Sequence, residues 1–327
     1  MESIVSASSD ATSAPQSSNR KRKTEENDSS IIPSKKIRFS VPYRRQNWSL
    51  PDSIVFYIAK NPSSPGLYEK TTQSCKYFYA KNPIAVIPCL YLGYENNKWR
   101  ACIYGFETKE DMKKRIDLSN VTAKLWILYE ICIENLFENR DDQSFVSSIM
   151  DKIYQCDIRR FDMYKHNIYF DDFKFFGSKC KEIWLDDVTV KNKDGSVVAL
   201  EEIVEVLSKV KDFRYFMDNT PPNIVTSKSV EKLIKIPHFS NIVDFTLSFA
   251  PEVLDIETFY IYMKKNKTTR IDLHFCDKIS EAYESRLQDI VYEILDADTY
   301  DFKVPMLEFS GMDQLAHEIL SSLFVPY

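Results

Sequence analysis

The side chains of this chain that could do chemistry are few, and their spacing is poor for it. His274 and Cys276 stand two residues apart in Ile271-Asp272-Leu273-His274-Phe275-Cys276. On an extended strand that spacing puts both on one face, the start of a Cys–His nucleophile or of a metal site. No third ligand or orienting group follows from the sequence, so the expected state is a surface histidine beside a half-buried thiol. The histidines His166, His238, His274 and His317 form no H-E-x-x-H pair, and no G-x-S-x-G elbow occurs. Only six glycines are present, the nearest two being Gly93 and Gly105, so neither a dinucleotide fingerprint nor a phosphate-cradling loop can be built. Asp171-Asp172 and Asp186-Asp187 read as solvated loop or cap carboxylates. The seven cysteines (Cys75, Cys89, Cys102, Cys132, Cys156, Cys180, Cys276) are odd in number and too far apart for structural zinc spacing. Reduced, mostly buried thiols are expected, with no catalytic residue, no metal and no cofactor.

Composition turns attention from catalysis to binding. The chain has 327 residues, 44% hydrophobic and 28% charged, enough for a sizeable core. No apolar run approaches the length of a membrane span, and the N-terminal residues lack the apolar stretch of a secretory signal. Nuclear and/or cytoplasmic localisation is expected, with no membrane partner. Residues 1–47 carry nine Lys/Arg against five Asp/Glu, a charge of +4, which leaves −9 on residues 48–327. The acidic body is a poor match for a phosphate backbone, so no nucleic-acid partner is expected, although 13% aromatic content with interleaved lysines would suit base stacking.

Residues 1–47, rich in Ser, Asn, Thr and Pro, read as a disordered tail with basic clusters. Lys21-Arg22 and, twelve residues on, Lys35-Lys36-Ile37-Arg38 have the layout of a bipartite nuclear signal; a solvated basic linker is the alternative. From Trp48 the character changes. Leu50-Pro51-Asp52 opens a helix with Ile54, Val55 and Ile58 at helical spacing, and Asn61-Pro62-Ser63-Ser64-Pro65 breaks it. A second helix follows over 66–72, with Ser63-Ser64-Pro65-Gly66 expected to weaken it, and a third over 73–81. Residues 48–88 thus form a helical module too small to stand alone. Residues 89–120 read as a connecting segment, in which Tyr91–Tyr94 and Lys98–Tyr104 could pair as a hairpin.

Beyond residue 121 the sequence acquires a rhythm. Ile183-Trp184-Leu185, Phe213-Arg214-Tyr215, Phe245-Thr246-Leu247 and Ile271-Asp272-Leu273 are short apolar-x-apolar strands spaced 30, 32 and 26 residues apart. Amphipathic helices lie between and after them, with apolar stripes over 200–210, 230–234, 256–263 and 283–294. Earlier units fit loosely: a strand near 124–129, a helix over 143–154, a strand near 157–161 and a helix over 171–176. Strand and helix repeating at this period predict an α/β, curved leucine-rich-repeat-like solenoid over 121–327, with a doubly wound sheet as the alternative. If the flanking apolar residues face the core, Trp184, Asp186, Arg214, Phe216, Thr246, Ser248, Asp272 and His274 share the open face, a mixture suited to binding a protein substrate.

Leu50-Pro51-Asp52 with Ile54 and Ile58, then Leu67, then Cys75-Lys76-Tyr77-Phe78, resembles an F-box, and the order of F-box then repeats resembles the large nematode families of F-box proteins. The resemblance implies a short N-terminal three-helix F-box ahead of the solenoid. It also implies a substrate-recognition adaptor of a cullin–RING (SCF-type) ubiquitin ligase that docks the Skp-type adaptor subunit. Leu50, Pro51, Ile54, Ile58, Leu67, Cys75 and Phe78 would form the docking surface, and an unidentified protein would bind the repeat face. The stretch from Pro51 to Cys75 is about one residue longer than the F-box pattern. A nuclear interaction scaffold, whose F-box-like bundle packs within its own chain and joins no ligase, is the other reading.

Overall fold

The computed structural model describes residues 47–93, 98–102, 116–134 and 144–324. The expected nuclear signal, Lys21 to Arg38, lies outside them. Three short helices come first: α1 (Asp52–Lys60), α2 (Pro65–Ser74) and α3 (Lys76–Lys81). Ser64-Pro65 starts α2 and does not weaken it. The Ser64 hydroxyl accepts the Leu67 N–H at 3.3 Å, and Pro65 occupies the first turn, where its missing N–H has no partner to lose. Val55, Ala59 and Phe78 form the small core of this bundle, with Trp48 edge-on to both Tyr77 and Phe78 at 5.7 Å.

The rest is a mixed α/β body with a large, mostly parallel sheet. Its strands are β1 (Ile84–Gly93), β2 (Lys98–Cys102), β3 (Ile116–Asp117), β4 (Lys124–Glu134), β5 (Ile153–Cys156), β6 (Arg160–Tyr164), β8 (Glu182–Asp186), β10 (Asp212–Phe216), β11 (Asp244–Ala250), β12 (Arg270–Phe275) and β13 (Met306–Glu308). From β1 through β4, β6, β8, β10, β11 and β12 to β13, each strand lies parallel beside the next in chain order; β2 and β3 extend the β1 edge antiparallel. A doubly wound sheet reverses its strand order at a switch point, and these parallel strands do not. Strands β7 (Asn167–Tyr169) and β9 (Thr189–Lys191) make a separate parallel pair. The helices among the described residues continue with α4 (Ser144–Met150), α5 (Phe170–Gly177), α6 (Leu200–Glu205), α7 (Ser229–Leu233), α8 (Ile256–Met263), α9 (Glu281–Leu295) and α10 (Gln314–Leu323). None is long and apolar enough to cross a membrane.

One face of the sheet carries the core. Ile183, Leu185, Phe213, Tyr215, Phe245, Leu247, Ile271 and Leu273 are buried as the alternation requires, packed with Ile203, Val204, Val230, Leu233, Phe259 and Leu287 from the helices. Phe213 stacks on Phe245 at 5.5 Å and Phe239 meets Phe245 edge-on at 5.1 Å; burying each such ring contributes about 1.5–3 kcal/mol. Between α6 and α7, the buried Glu201 carboxylate accepts from Ser229 Oγ at 2.7 Å and Lys232 Nζ at 2.9 Å. Burial alone would raise its pKa, but these donors hold it below the usual carboxylate range.

Several sequence-based boundaries move. The expected 88/89 boundary falls inside β1, and the hairpin of 89–120 is built into the sheet through Gly93↔Lys98 to Cys89↔Cys102. The described strands of this segment are therefore sheet edge and not connector, because β1 finds β4 as a parallel partner about forty residues on. The helix expected over 143–154 stops at Met150, and Ile153–Cys156 pairs with β4 instead. Long-range strand pairing overrides local helical spacing there. The strand expected near 157–161 is Arg160–Tyr164, while β7, β9, β13 and α10 had no sequence-based counterpart.

Candidate partner-binding face and its pocket

The opposite face of the sheet carries three rows of side chains, set by strand register. The first runs Glu130, Arg160, Glu182, Asp212, Asp244, Arg270; the second Cys132, Asp162, Trp184, Arg214, Thr246, Asp272; the third Glu134, Tyr164, Asp186, Phe216, Ser248, His274, Glu308. These rows hold nine carboxylates against Arg160, Arg214, Arg270 and His274. Each arginine already has a carboxylate of the same face. Arg214 Nε and Nη2 each donate to Asp212 at 2.9 Å, Arg160 does the same to Asp162, and Arg270 pairs with Asp244. Trp184 lies between two of them, with the Arg160 guanidinium 3.9 Å and that of Arg214 4.5 Å from its ring centre. At Glu130 burial, and after it the like charge of Asp162, push the pKa up to about 7 against the opposing pull of Arg160.

At the β10–β13 end these rows floor a pocket of about 510 Å³. Six of the eight residues expected on the substrate-binding face line it: Arg214, Phe216, Thr246, Ser248, Asp272 and His274. Trp184 and Asp186 do not; they sit one strand away on β8, with Trp184 packed beneath Arg214 and Asp186 in register with Phe216. A bulge in β11 supplies Phe249, loops at the strand ends supply Asp277 and Phe309, and β13 adds Glu308.

His274 is clamped. Its Nε2 lies 2.9 Å from Asp272 Oδ1 and its Nδ1 3.0 Å from Glu308 Oε2. The Asp272 hydrogen bond, with the nearby charges of Asp272 and Glu308, raises the imidazole pKa above its ordinary value even though burial opposes it. With a carboxylate oxygen set against each ring nitrogen, the imidazole turns neither nitrogen to Ser248 beside it, so this arrangement suits charge placement and not nucleophile activation. Cys276 does not join it. That residue falls after β12 and packs against the hydrophobic core, so the strand-face pairing expected for His274 and Cys276 is not realised. Among the described residues no group of three or more His, Cys, Asp or Glu side chains is placed to hold a metal ion.

Phe249 is a pocket residue that the sequence reading did not single out. Alternation from Phe245 and Leu247 assigns it to the core, yet the register slips between Ser248 and Ala250 and Phe249 takes φ +60. A bulge of this kind re-aims a side chain. The ring is 42% exposed at the pocket, where Phe216 is 37% exposed. For a bulky residue this backbone conformation costs roughly 1–2 kcal/mol, a strain that tends to persist at functional sites. Glu308 and Asp277 gave no signal, since β13 is three residues long and Asp277 lies in a turn.

At the other end of the chain the bundle exposes apolar groups. Leu50 is 49% exposed, Ile54 46%, Leu67 45% and Tyr57 66%, and Pro51 is exposed with them. Ile54, Tyr57 and Ile58, at i, i+3 and i+4, share one flank of α1. Phe78 is not on this surface as expected: it is buried inside the bundle, and Cys75 and Ile58 are partly buried against it. Cys75 instead caps α3, its sulfur accepting the Tyr77 N–H at 3.4 Å. Tyr68 ties the bundle to the sheet, donating to Asn82 O at 2.7 Å and accepting from Ile84 N at 2.9 Å while packing on Trp126. Compared with protein-family models the chain matches none, and no curated protein matches it significantly.

Proposed function

We propose that this chain is a substrate-recruiting subunit of an SCF-type ubiquitin ligase: an F-box-like bundle docks the Skp-type adaptor, and a leucine-rich-repeat-like solenoid holds a protein substrate on its open face. The observation that carries this reading is that Leu50, Ile54, Tyr57 and Leu67 stand exposed outside their own bundle, with no described residue burying them. Burying such side chains against a partner yields about 1.5–3 kcal/mol each, enough for a stable interface. The one-way order of the parallel strands supports the solenoid, because stacked repeats place each unit beside its predecessor. A clamped histidine and internally paired arginines suit recognition better than catalysis.

The rival, a scaffold whose bundle serves only its own chain, draws on the burial of Phe78 and on the two Tyr68 hydrogen bonds that weld the bundle to β1. Co-purification separates the two. The full chain should retain the Skp-type adaptor and cullin, Leu50→Asp with Ile54→Asp should reduce that at least tenfold, and Phe216→Ala should leave it unchanged. A wild-type chain that is folded yet retains neither subunit favours the scaffold.

A further inference from the structure

We infer that the segment captured on the open face is basic, and that it seats a Lys or Arg side chain in the pocket between the Phe216 and Phe249 rings and the Asp277 and Glu308 carboxylates. The inference rests on the reading of this face as the substrate-binding surface and names the chemistry of its occupant.

The first support is the charge balance of the face. Its carboxylates outnumber its cations nine to four, and Arg160, Arg214 and Arg270 are each paired within the face. Within the three rows of described residues no cation is left unpaired to greet an acidic partner, since His274 is itself held by Asp272 and Glu308. Asp277, exposed at the pocket, has no ion-pair partner among the described residues. An incoming cation therefore meets uncompensated negative charge, whereas an acidic or phosphorylated segment would be repelled.

The pocket's shape and its aromatic wall give the second. At about 510 Å³ it is within the size range of ligand sites and can take one long side chain with its flanking backbone. Phe249 reaches it only through the φ +60 bulge, so the fold sustains backbone strain while leaving that ring exposed. A ring face beside carboxylates is the setting in which an ammonium or guanidinium gains both cation–π and ion-pair attraction, while the aliphatic stem lies on the apolar wall. The same face shows the geometry working internally, with two guanidinium groups laid on Trp184.

A random peptide library displayed on phage, selected on the full chain and counter-selected on a Phe216→Ala, Phe249→Gly, Glu308→Gln variant, tests this. Glycine is chosen at 249 because it accepts φ +60 freely, so the variant keeps the backbone; its folding is checked by its thermal melt. The expected result is enrichment of Lys- or Arg-containing peptides lost on the variant. For a synthetic copy of the best peptide, read by fluorescence anisotropy, Phe249→Gly alone should weaken binding roughly 3- to 30-fold without lowering Tm, and replacing the peptide's basic residue by Glu should abolish binding. Enriched peptides that lack basic residues yet are lost on the variant would overturn the inference and leave the binding face standing. Peptides that bind wild type and variant alike, or no enrichment at all, would overturn both.

Discussion

The N-terminal bundle and the parallel sheet solve the problem of burial in opposite ways. The bundle buries little more than Val55, Ala59 and Phe78 and leaves Leu50, Ile54, Phe56, Tyr57 and Leu67 in solvent. The sheet buries every alternate strand residue from β8 to β12 and leaves outside a face that is mostly charged. A small unit cannot cover its own apolar surface, whereas a long sheet with helices on one side can. On the proposed function, the difference separates two tasks: exposed apolar area suits adhesion to one fixed partner, while a patterned acidic face suits discrimination among many.

The largest test of that contrast is Phe245→Ala, which opens a cavity beneath three rings and should destabilise the whole chain by about 3–5 kcal/mol in denaturant melts. Val55→Ala in the bundle should take away less, about 1–3 kcal/mol, and its loss should be confined to protection of residues 47–82 in hydrogen exchange. Equal and global effects would mean that bundle and sheet are one cooperative unit.

Next is Glu130→Gln, which removes a carboxylate from the crowded side of the face. The folded-state pKa of about 7 lies above the ordinary 4.5, so the native state binds this proton more tightly than the unfolded chain does. Its contribution is therefore fully present below about pH 4.5 and is lost as pH rises through 7. The variant should be more stable than wild type by about 1–2 kcal/mol at pH 8 and no more stable near pH 4, measured by urea melts at both. Ser64→Ala, which removes the α2 cap, should destabilise the bundle by about 1 kcal/mol in the same exchange experiment.

The smallest effect is at His274. Its raised pKa means that the clamp stabilises the fold at low pH and fades as pH climbs through the folded value. His274→Asn should lower the unfolding free energy slightly at pH 6, by about a few tenths of a kcal/mol given its exposure, and not at pH 9, measured by urea melts. An equal loss at both pH values would show that the ring acts by shape and not by charge.

What the residues determined alone is whatever repeats over a few positions. The period-two pattern of Ile183/Leu185, Phe213/Tyr215, Phe245/Leu247 and Ile271/Leu273 was enough to assign both faces of four strands and to name six pocket residues, because alternation is a property of the extended backbone. The breaks at Asn61-Pro62 and Asn82-Pro83 likewise set the ends of α1 and α3, because proline removes a donor and restricts its neighbour. Tertiary structure alone decided what depends on distant partners: that β1 belongs to the sheet, that Phe78 turns inward, that Glu308 reaches His274 from a three-residue strand, and that a register slip at Ser248 throws Phe249 outward. Each is a balance of pairing and packing over tens of residues, in which no single local preference is large enough to fix the outcome.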